Sequence, residues 1–291
     1  MDKTQLKKLF QKHNFKPNKI MGQNFLIDNN VLEEIIGTAD LNKNDIVLEI
    51  GPGLGILTKK LAEKAKKVIA IEKDKQITGI LKKELENYNN VELINKDILE
   101  YNFELDDYKV VANIPYYLTS YLIRLLLESE NQPKEIILLV QKELAQRILP
   151  RSAGMYKQVK MNLLAISVQF FGKPEIISYV PKESFWPEPK VDSAIIKITD
   201  IKKPKDVSIK KFFELVKAGF SSPRKQLVNN LSKKFYLNKE EIKKALAECG
   251  LNIQARAENL SIKDWICLTS PDGRDPNRSD RLRRYKSDLD G

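Results

Sequence analysis

The chain has 291 residues, 42% of them apolar and 31% charged, which is enough apolar material to bury a core and excludes a disordered or fibrous protein. Its 50 Lys and Arg outnumber 39 Asp and Glu for a net charge of +11, and no apolar run approaches the roughly 20 residues of a membrane span, which excludes an integral membrane protein. Two cysteines, Cys249 and Cys267, form no CxxC pair and argue against a disulfide framework or a structural zinc site, and a single histidine argues against a His-based metal centre or catalytic triad.

Residues 1–24 carry six lysines against one aspartate and read as a basic N-terminal arm with His13 on its surface. They lack the apolar stretch of a secretory signal, so the chain is expected to stay in the cytosol. Residues 25–200 hold 23 basic and 26 acidic side chains and are close to neutral. From residue 46 short β-branched runs alternate with helical stretches. Strands are predicted over 46–50, 68–72, 91–94, 108–112 and 135–140, with helices over about 55–66, up to 87, and 119–129. Continuous apolar strands separated by helices predict an α/β fold with a doubly wound, mainly parallel sheet. Two more β-type segments, 163–171 and 191–198, are expected as antiparallel additions at the far edge.

Beyond a polar linker at 200–206 the texture changes. Residues 201–269 carry 15 basic and 7 acidic side chains and show no strand pattern. Helices are predicted over 208–219, 223–235, 239–248 and 261–268, the third behind Asn238 as N-cap, giving a small all-helical C-terminal domain. The polar tail 270–291 is almost devoid of apolar residues and is expected to be disordered. A near-neutral body between two basic flanks suits a catalytic domain held against a polyanion by its ends.

The chemistry concentrates at the predicted strand ends. Glu49-Ile-Gly51-Pro-Gly53-Leu-Gly55 closes the first strand, and its glycines permit a tight turn and close approach of a ligand. Their spacing differs from the dinucleotide fingerprint. Glu72 ends the second strand 21 residues beyond Gly51, a spacing at which a carboxylate can hold both ribose hydroxyls. Asp97 follows the third strand, where it can accept from an adenine amino group. A turn, a ribose acid and an adenine acid on successive strands describe a site for S-adenosylmethionine. After the fourth strand comes Asn113-Ile114-Pro115-Tyr116. The Asn113 side-chain oxygen and the Ile114 carbonyl can both accept from an exocyclic amine, favouring a tetrahedral nitrogen whose lone pair points at the methyl group. Pro115 fixes the turn, and Tyr116 offers a face for an extruded base.

Asn113–Tyr116 resembles the Asn/Asp-Pro-Pro-Tyr/Phe motif of amino-methyltransferases, and over residues 11–269 the chain resembles the ribosomal RNA adenine dimethyltransferases of the small subunit, whose loss is associated with kasugamycin resistance. Gly22-Gln-Asn-Phe-Leu26, Phe185-Trp-Pro-Glu-Pro-Lys-Val-Asp-Ser193, the 220–231 segment and Arg256–Ser261 are similar to that family's motifs. The resemblance implies a Rossmann-like methyltransferase domain. It implies cofactor contacts from Gln23, Asn24, Leu26, Gly51, Glu72, Asp97, Ile98 and Asn113. It further implies that Phe185 covers the second face of the base and that Arg224 and Lys225 face RNA in a helical RNA-binding domain, 201–269. The tail 270–291 departs from the family.

The function so implied is transfer of two methyl groups to N6 of each of two adjacent adenosines near the 3′ end of 16S ribosomal RNA in the small subunit, by a monomer with no metal. Two alternatives stand beside it: the related large-subunit (23S) methyltransferase that confers macrolide resistance, and an RNA-binding assembly factor that kept the fold without catalysis.

Overall fold

The computed structural model describes residues 3–17, 22–150 and 161–269. They divide into two units, one of residues 3–17, 22–149 and 172–201 and one of residues 150, 161–171 and 202–269. The first unit begins with α1 (Lys3–Lys12), which is no loose arm. Its Leu6 and Phe10 are buried with Phe15, Phe25, Leu54, Ile77 and Leu81, so a basic segment is anchored by its apolar stripe. His13 behind it is half-buried rather than on the surface, and its Nε2 is covered without a hydrogen-bond partner among the described residues.

The chain continues through β1 (Phe25–Leu26), α2 (Asn29–Ala39), β2 (Ile46–Ile50), α3 (Ile56–Lys64), β3 (Lys67–Glu72), α4 (Lys75–Glu84) and β4 (Val91–Asn95). It then runs through β5 (Tyr108–Asn113), α5 (Thr119–Glu128), β6 (Glu135–Gln141) and α6 (Lys142–Ile148). Helix starts are chemically marked. Asp28 accepts from Asn30 N at 2.9 Å at the head of α2, and Asp74 accepts from Gln76 N at 2.8 Å at the head of α4. After α7 (Leu163–Phe171), which belongs to the second unit, β7 (Lys173–Val180), β8 (Phe185–Trp186) and β9 (Ser193–Thr199) complete the first.

The main sheet has the order β4-β3-β2-β5-β6-β9-β7. β4 through β6 run parallel, and β9 and β7 are antiparallel to their neighbours. The central strands are apolar throughout because helices cover both faces: Val47, Leu48, Val68, Ala70, Val110 and Ile137 have no exposed surface. The order reverses between β3 and β5 on either side of β2, and a crevice opens beyond the carboxyl ends of the strands at such a reversal.

Residues 163–171, expected as a strand, form helix α7. LLAISVQFF is apolar nearly all round, and such a run reads equally as a buried strand or a buried helix. The edge strand is instead β7, whose alternating burial and Pro174 suit an outermost position.

In the second unit α7 is followed by α8 (Ile209–Gly219), α9 (Leu227–Phe235), α10 (Lys239–Glu248) and α11 (Ile262–Thr269). Phe170 stacks on Phe212 with centroids 4.0 Å apart, and Trp265 is fully buried. Asn238 caps α10 as expected, accepting from Glu240 N at 3.0 Å. Cys249 and Cys267, whose small number and lack of a CxxC pair argue against a disulfide framework, are nevertheless joined in a disulfide, because the end of α10 and the body of α11 bring their Cα atoms to 5.9 Å. Among the described residues no helix is long and apolar enough to cross a membrane.

Candidate active site

A cavity of about 170 Å³ opens at the carboxyl ends of β2 to β5. Every candidate cofactor and catalytic residue lines it: Gln23, Asn24, Leu26, Gly51, Glu72, Asp97, Ile98, Asn113, Ile114, Pro115, Tyr116 and Phe185. Parallel register explains the convergence. Ile50 pairs with Ile71 and Glu72 with Asn95, so the last residues of neighbouring strands lie side by side. Arg224 and Lys225 are not among its lining residues and are exposed on the turn between α8 and α9 of the second unit. The buried Asn230 holds that turn by donating to Gly219 O at 2.6 Å and Ser222 O at 3.0 Å.

The glycine turn is shaped for close approach. Gly51 and Gly53 take φ of +66° and +58°, which side chains rarely adopt. A Cβ on Gly53 would also lie 3.2 Å from the Phe25 ring, so β1 closes over the turn only because the side chain is missing. β1 pairs in turn with β8, setting Leu26 opposite Phe185.

Glu72 is 7% exposed and accepts Asp74 N at 2.8 Å. Burial, with the Asp74 charge adding to it, pushes its carboxyl up to about 7. Glu49, on β2, lines the cavity with 1% exposure, and its Oε2 has no hydrogen-bond partner among the described residues. Burial raises it to about 8, the nearby Thr58 hydroxyl offsets this only in part, and the charge of Glu72 reinforces it. The sequence assigns Glu49 no role beside the turn; its position on the strand that ends at the glycines is the available signal.

Asp97 is engaged on both oxygens. Oδ1 accepts Leu99 N at 3.0 Å, and Oδ2 takes the ammonium of Lys73 at 2.7 Å. The Lys73 ammonium, and then the Leu99 amide, hold the carboxyl below its usual range.

At the end of β5, Asn113 donates from Nδ2 to Asn24 O at 3.4 Å. A carbonyl only accepts, so this contact fixes which end of the amide is nitrogen and turns Oδ1 away from Asn24. Pro115 O accepts Leu118 N at 3.0 Å, closing the turn into α5. Tyr116 is half-buried, and its hydroxyl shares a 2.7 Å hydrogen bond with Ser193 Oγ at the start of β9. Burial raises its phenol above the ordinary value. Phe185 lines the cavity yet is 3% exposed and packs with Leu26, Val31, Leu32, Val180 and Ile195, so it is a core residue as well as a wall. Tyr117, which no motif in the sequence singles out, is a further wall residue and is 65% exposed.

Residues 14–270 match the family described as ribosomal RNA adenine dimethylase. A ribosomal RNA small subunit methyltransferase A of Dehalococcoides mccartyi is 39% identical over 275 residues, covering 91% of this chain and 92% of that protein. One of Clostridium botulinum is 43% identical over 266 residues, covering 89% and 95%. Among solved structures, a dimethyladenosine transferase from Plasmodium falciparum matches with a TM-score of 0.68 at 31% identity, covering 84% of this chain and 95% of its own. The 23S rRNA methyltransferase ErmE matches with a TM-score of 0.68 at 27% identity, covering 84% and 98%. With the turn, the two strand-end acids and the Asn113–Tyr116 segment in one cavity, this chain belongs to the ribosomal RNA adenine dimethylase family.

Proposed function

We propose that this chain dimethylates N6 of two adjacent adenosines near the 3′ end of small-subunit (16S) ribosomal RNA, with S-adenosylmethionine as methyl donor. The observation that carries this reading is the orientation of Asn113. Its Nδ2 donates to Asn24 O at 3.4 Å, which keeps Oδ1 out of that contact, and Asn113 lines the same cavity as Glu72 and Asp97. The small subunit is favoured by the relatives at 39% and 43% identity named for it, against 27% for the neighbour named for 23S rRNA.

The residues fit the cofactor. Glu49 lines the cavity, and its buried Oε2 has no hydrogen-bond partner among the described residues, beside a turn whose positive-φ glycines leave the backbone bare. Glu72 would hold the ribose, Asp97 and Ile98 the adenine, and Gln23, Asn24, Leu26 and Gly51 the remainder. S-adenosylmethionine, when bound, supplies an electrophilic methyl group on a cationic sulfur.

The chain's own contribution is orientation. An aromatic amine is a poor nucleophile because its lone pair is delocalised into the ring. Acceptors at Asn113 Oδ1 and the Ile114 carbonyl draw its two N–H groups into a pyramidal arrangement and aim the lone pair. Pro115 fixes the turn that carries both acceptors. Tyr116, pinned through its hydroxyl by Ser193, gives the extruded base a ring held at one angle. Phe185 bounds the cavity beside it. The alkylated nitrogen then sheds its proton to water. Arg224 and Lys225 supply phosphate contacts from the helical unit.

The test is incubation with labelled S-adenosylmethionine and unmodified subunits, followed by mapping of the modified bases. Label on two adjacent adenosines of small-subunit RNA is the expected result. Label on large subunits only would instead make the chain a 23S enzyme, and bound cofactor without turnover on either would make it a non-catalytic factor.

A further inference from the structure

α5 divides cleanly into two faces. Leu122, Ile123, Leu126 and Leu127 are fully buried. On the other side Tyr117 is 65% exposed, Tyr121 is 58% exposed, and Arg124 follows. Tyr117 sits in the turn that leads into the helix, and residues spaced by four and then three line one side of a helical stretch. The exposed face of α4 shows what an ordinary solvated helix carries here: Lys75, Gln76, Lys82 and Lys83. Two mostly exposed tyrosines, one at the entry to α5 and one on it, depart from that pattern, and paired exposed aromatics mark a contact surface more often than a single one does.

Hydrogen bonding separates these rings from Tyr108 and Tyr116. Tyr108 OH donates to Asn131 O at 3.0 Å, and Tyr116 OH is tied to Ser193. Neither Tyr117 nor Tyr121 has a hydroxyl hydrogen bond among the described residues. Their faces, not their hydroxyls, are what they offer. The stripe also starts at the site: Tyr117 is both a wall of the cavity and the residue after Tyr116. Arg124 is paired with Glu128 at 2.9 Å within the helix. Exposed aromatic faces beside the cavity suit stacking of bases.

We propose that Tyr117 and Tyr121, with Arg124 beyond them, form a stacking stripe that holds the nucleotides flanking the target adenosine outside the catalytic cavity. The proposal rests on the RNA-methylating reading above and gives it a strand path. A base can be extruded into the cavity at lower cost when its unstacked neighbours find new faces to stack on.

The experiment measures binding of unmodified small subunits, and of a single-stranded RNA oligonucleotide with two adjacent adenosines, across a salt series. The proteins are wild type, Tyr117→Ala, Tyr121→Ala, the double alanine variant and the two phenylalanine variants. Each alanine substitution should weaken oligonucleotide binding by on the order of tenfold, while the slope of log affinity against log salt stays that of wild type. The phenylalanine variants should bind as wild type, and Tyr121→Ala should keep the wild-type affinity for S-adenosylmethionine.

Wild-type RNA binding by the double alanine variant would overturn the proposal. So would a shallower salt slope, which marks phosphate contact, or an equal loss in the phenylalanine variants, which marks a hydroxyl role. A loss of cofactor affinity in Tyr117→Ala larger than its loss of RNA affinity would move Tyr117 to the cofactor site and end the stripe. If wild type methylates its RNA while these variants bind normally, only this proposal falls. If wild type neither binds nor methylates subunits, the functional reading falls and takes the stripe with it.

Discussion

The ammonium of Lys73 lies 2.7 Å from Oδ2 of Asp97, so the acid expected to receive an adenine amine already holds a cation. The pair is open to water, with the lysine side chain 60% exposed and the aspartate 20% exposed, and such pairs exchange partners at small cost. An adenine amine must share Oδ2 with Lys73 or replace it. Lys73→Met should therefore bind S-adenosylmethionine as tightly as wild type or severalfold more tightly. Wild-type affinity should also rise when salt screens the pair, whereas the variant's should not. Calorimetry of both proteins at low and high salt checks this. Weaker binding by the variant would show instead that Lys73 supports the cofactor directly.

Asn113→Ala should lose turnover by roughly two to three orders of magnitude, as removal of a positioned acceptor in a water-poor site costs about 2.7–4 kcal/mol of barrier. Cofactor affinity should stay within about tenfold. Asn113→Asp is the sharper variant. It sets a carboxylate oxygen where Nδ2 now donates to Asn24 O at 3.4 Å, replacing a hydrogen bond with repulsion. Single-turnover rates with cofactor titration separate the two effects. A fast Asn113→Ala enzyme would remove Asn113 from the reaction.

Phe185 tests whether a cavity wall can also be a structural post. With 3% exposure and neighbours such as Leu26 and Val180, its truncation leaves a hole that β1 and β8 cannot both close. Phe185→Ala should cost about 3–5 kcal/mol of stability in urea unfolding, while Phe185→Leu should cost much less. If Phe185→Leu is stable and folded but slow with RNA, the ring has a second role against the base. If it turns over normally, Phe185 is core alone.

Much of this was legible in the sequence because the sheet is buried on both faces. β2, β3, β5 and β6 appear as mainly apolar runs, broken only by Glu49 in β2 and Lys109 in β5 away from their ends. The glycines, Glu72, Asp97 and Asn113 come at or just after the ends of β2, β3, β4 and β5 in order. The helix over 163–171 was not legible, since a segment apolar on every side carries no period to choose between strand and helix. α1 was hidden for the opposite reason: its lysines outnumber the two residues, Leu6 and Phe10, that anchor it. The Lys73–Asp97 pair joins residues 24 apart through neighbouring strand ends, and no local pattern announces it. Nor does any sequence pattern reveal that Glu49 Oε2 has no partner.

That unpartnered carboxyl sets a pH dependence whose sign is fixed. Glu49 holds its proton up to about pH 8 when folded, against an ordinary value of 4.5 when unfolded. The folded state binds the proton more tightly, so its contribution to stability is full below the unfolded value and is lost as pH rises through about 8. Glu72 acts with the same sign up to about 7. Within the window each such group loses about 1.4 kcal/mol per pH unit. Glu49→Gln keeps the shape and cannot ionise, so its melting temperature should approach that of wild type near the acid end and exceed it increasingly toward alkaline pH. Parallel curves for the two proteins would mean that Glu49 is ionised throughout and finds a donor when folded.

The last prediction concerns the turn between α8 and α9. Arg224 and Lys225 are exposed there, on a backbone that Asn230 ties down through two carbonyls. Two cations on a fixed turn lose little freedom on meeting phosphates, so each should act as a full contact. Every phosphate contact contributes about 0.7–0.9 to the slope of log affinity against log salt. The double variant Arg224→Gln and Lys225→Gln should therefore lower that slope for small-subunit binding by about 1.4–1.8. Cofactor affinity should not change, because neither residue lines the cavity. Asn230→Ala offers an independent arm, since it keeps both charges and frees the turn. Affinity should drop at every salt concentration with the slope preserved. A double variant with the wild-type slope would show that these two cations only solvate the helix ends, and the basic character of residues 201–269 would have to act through other lysines.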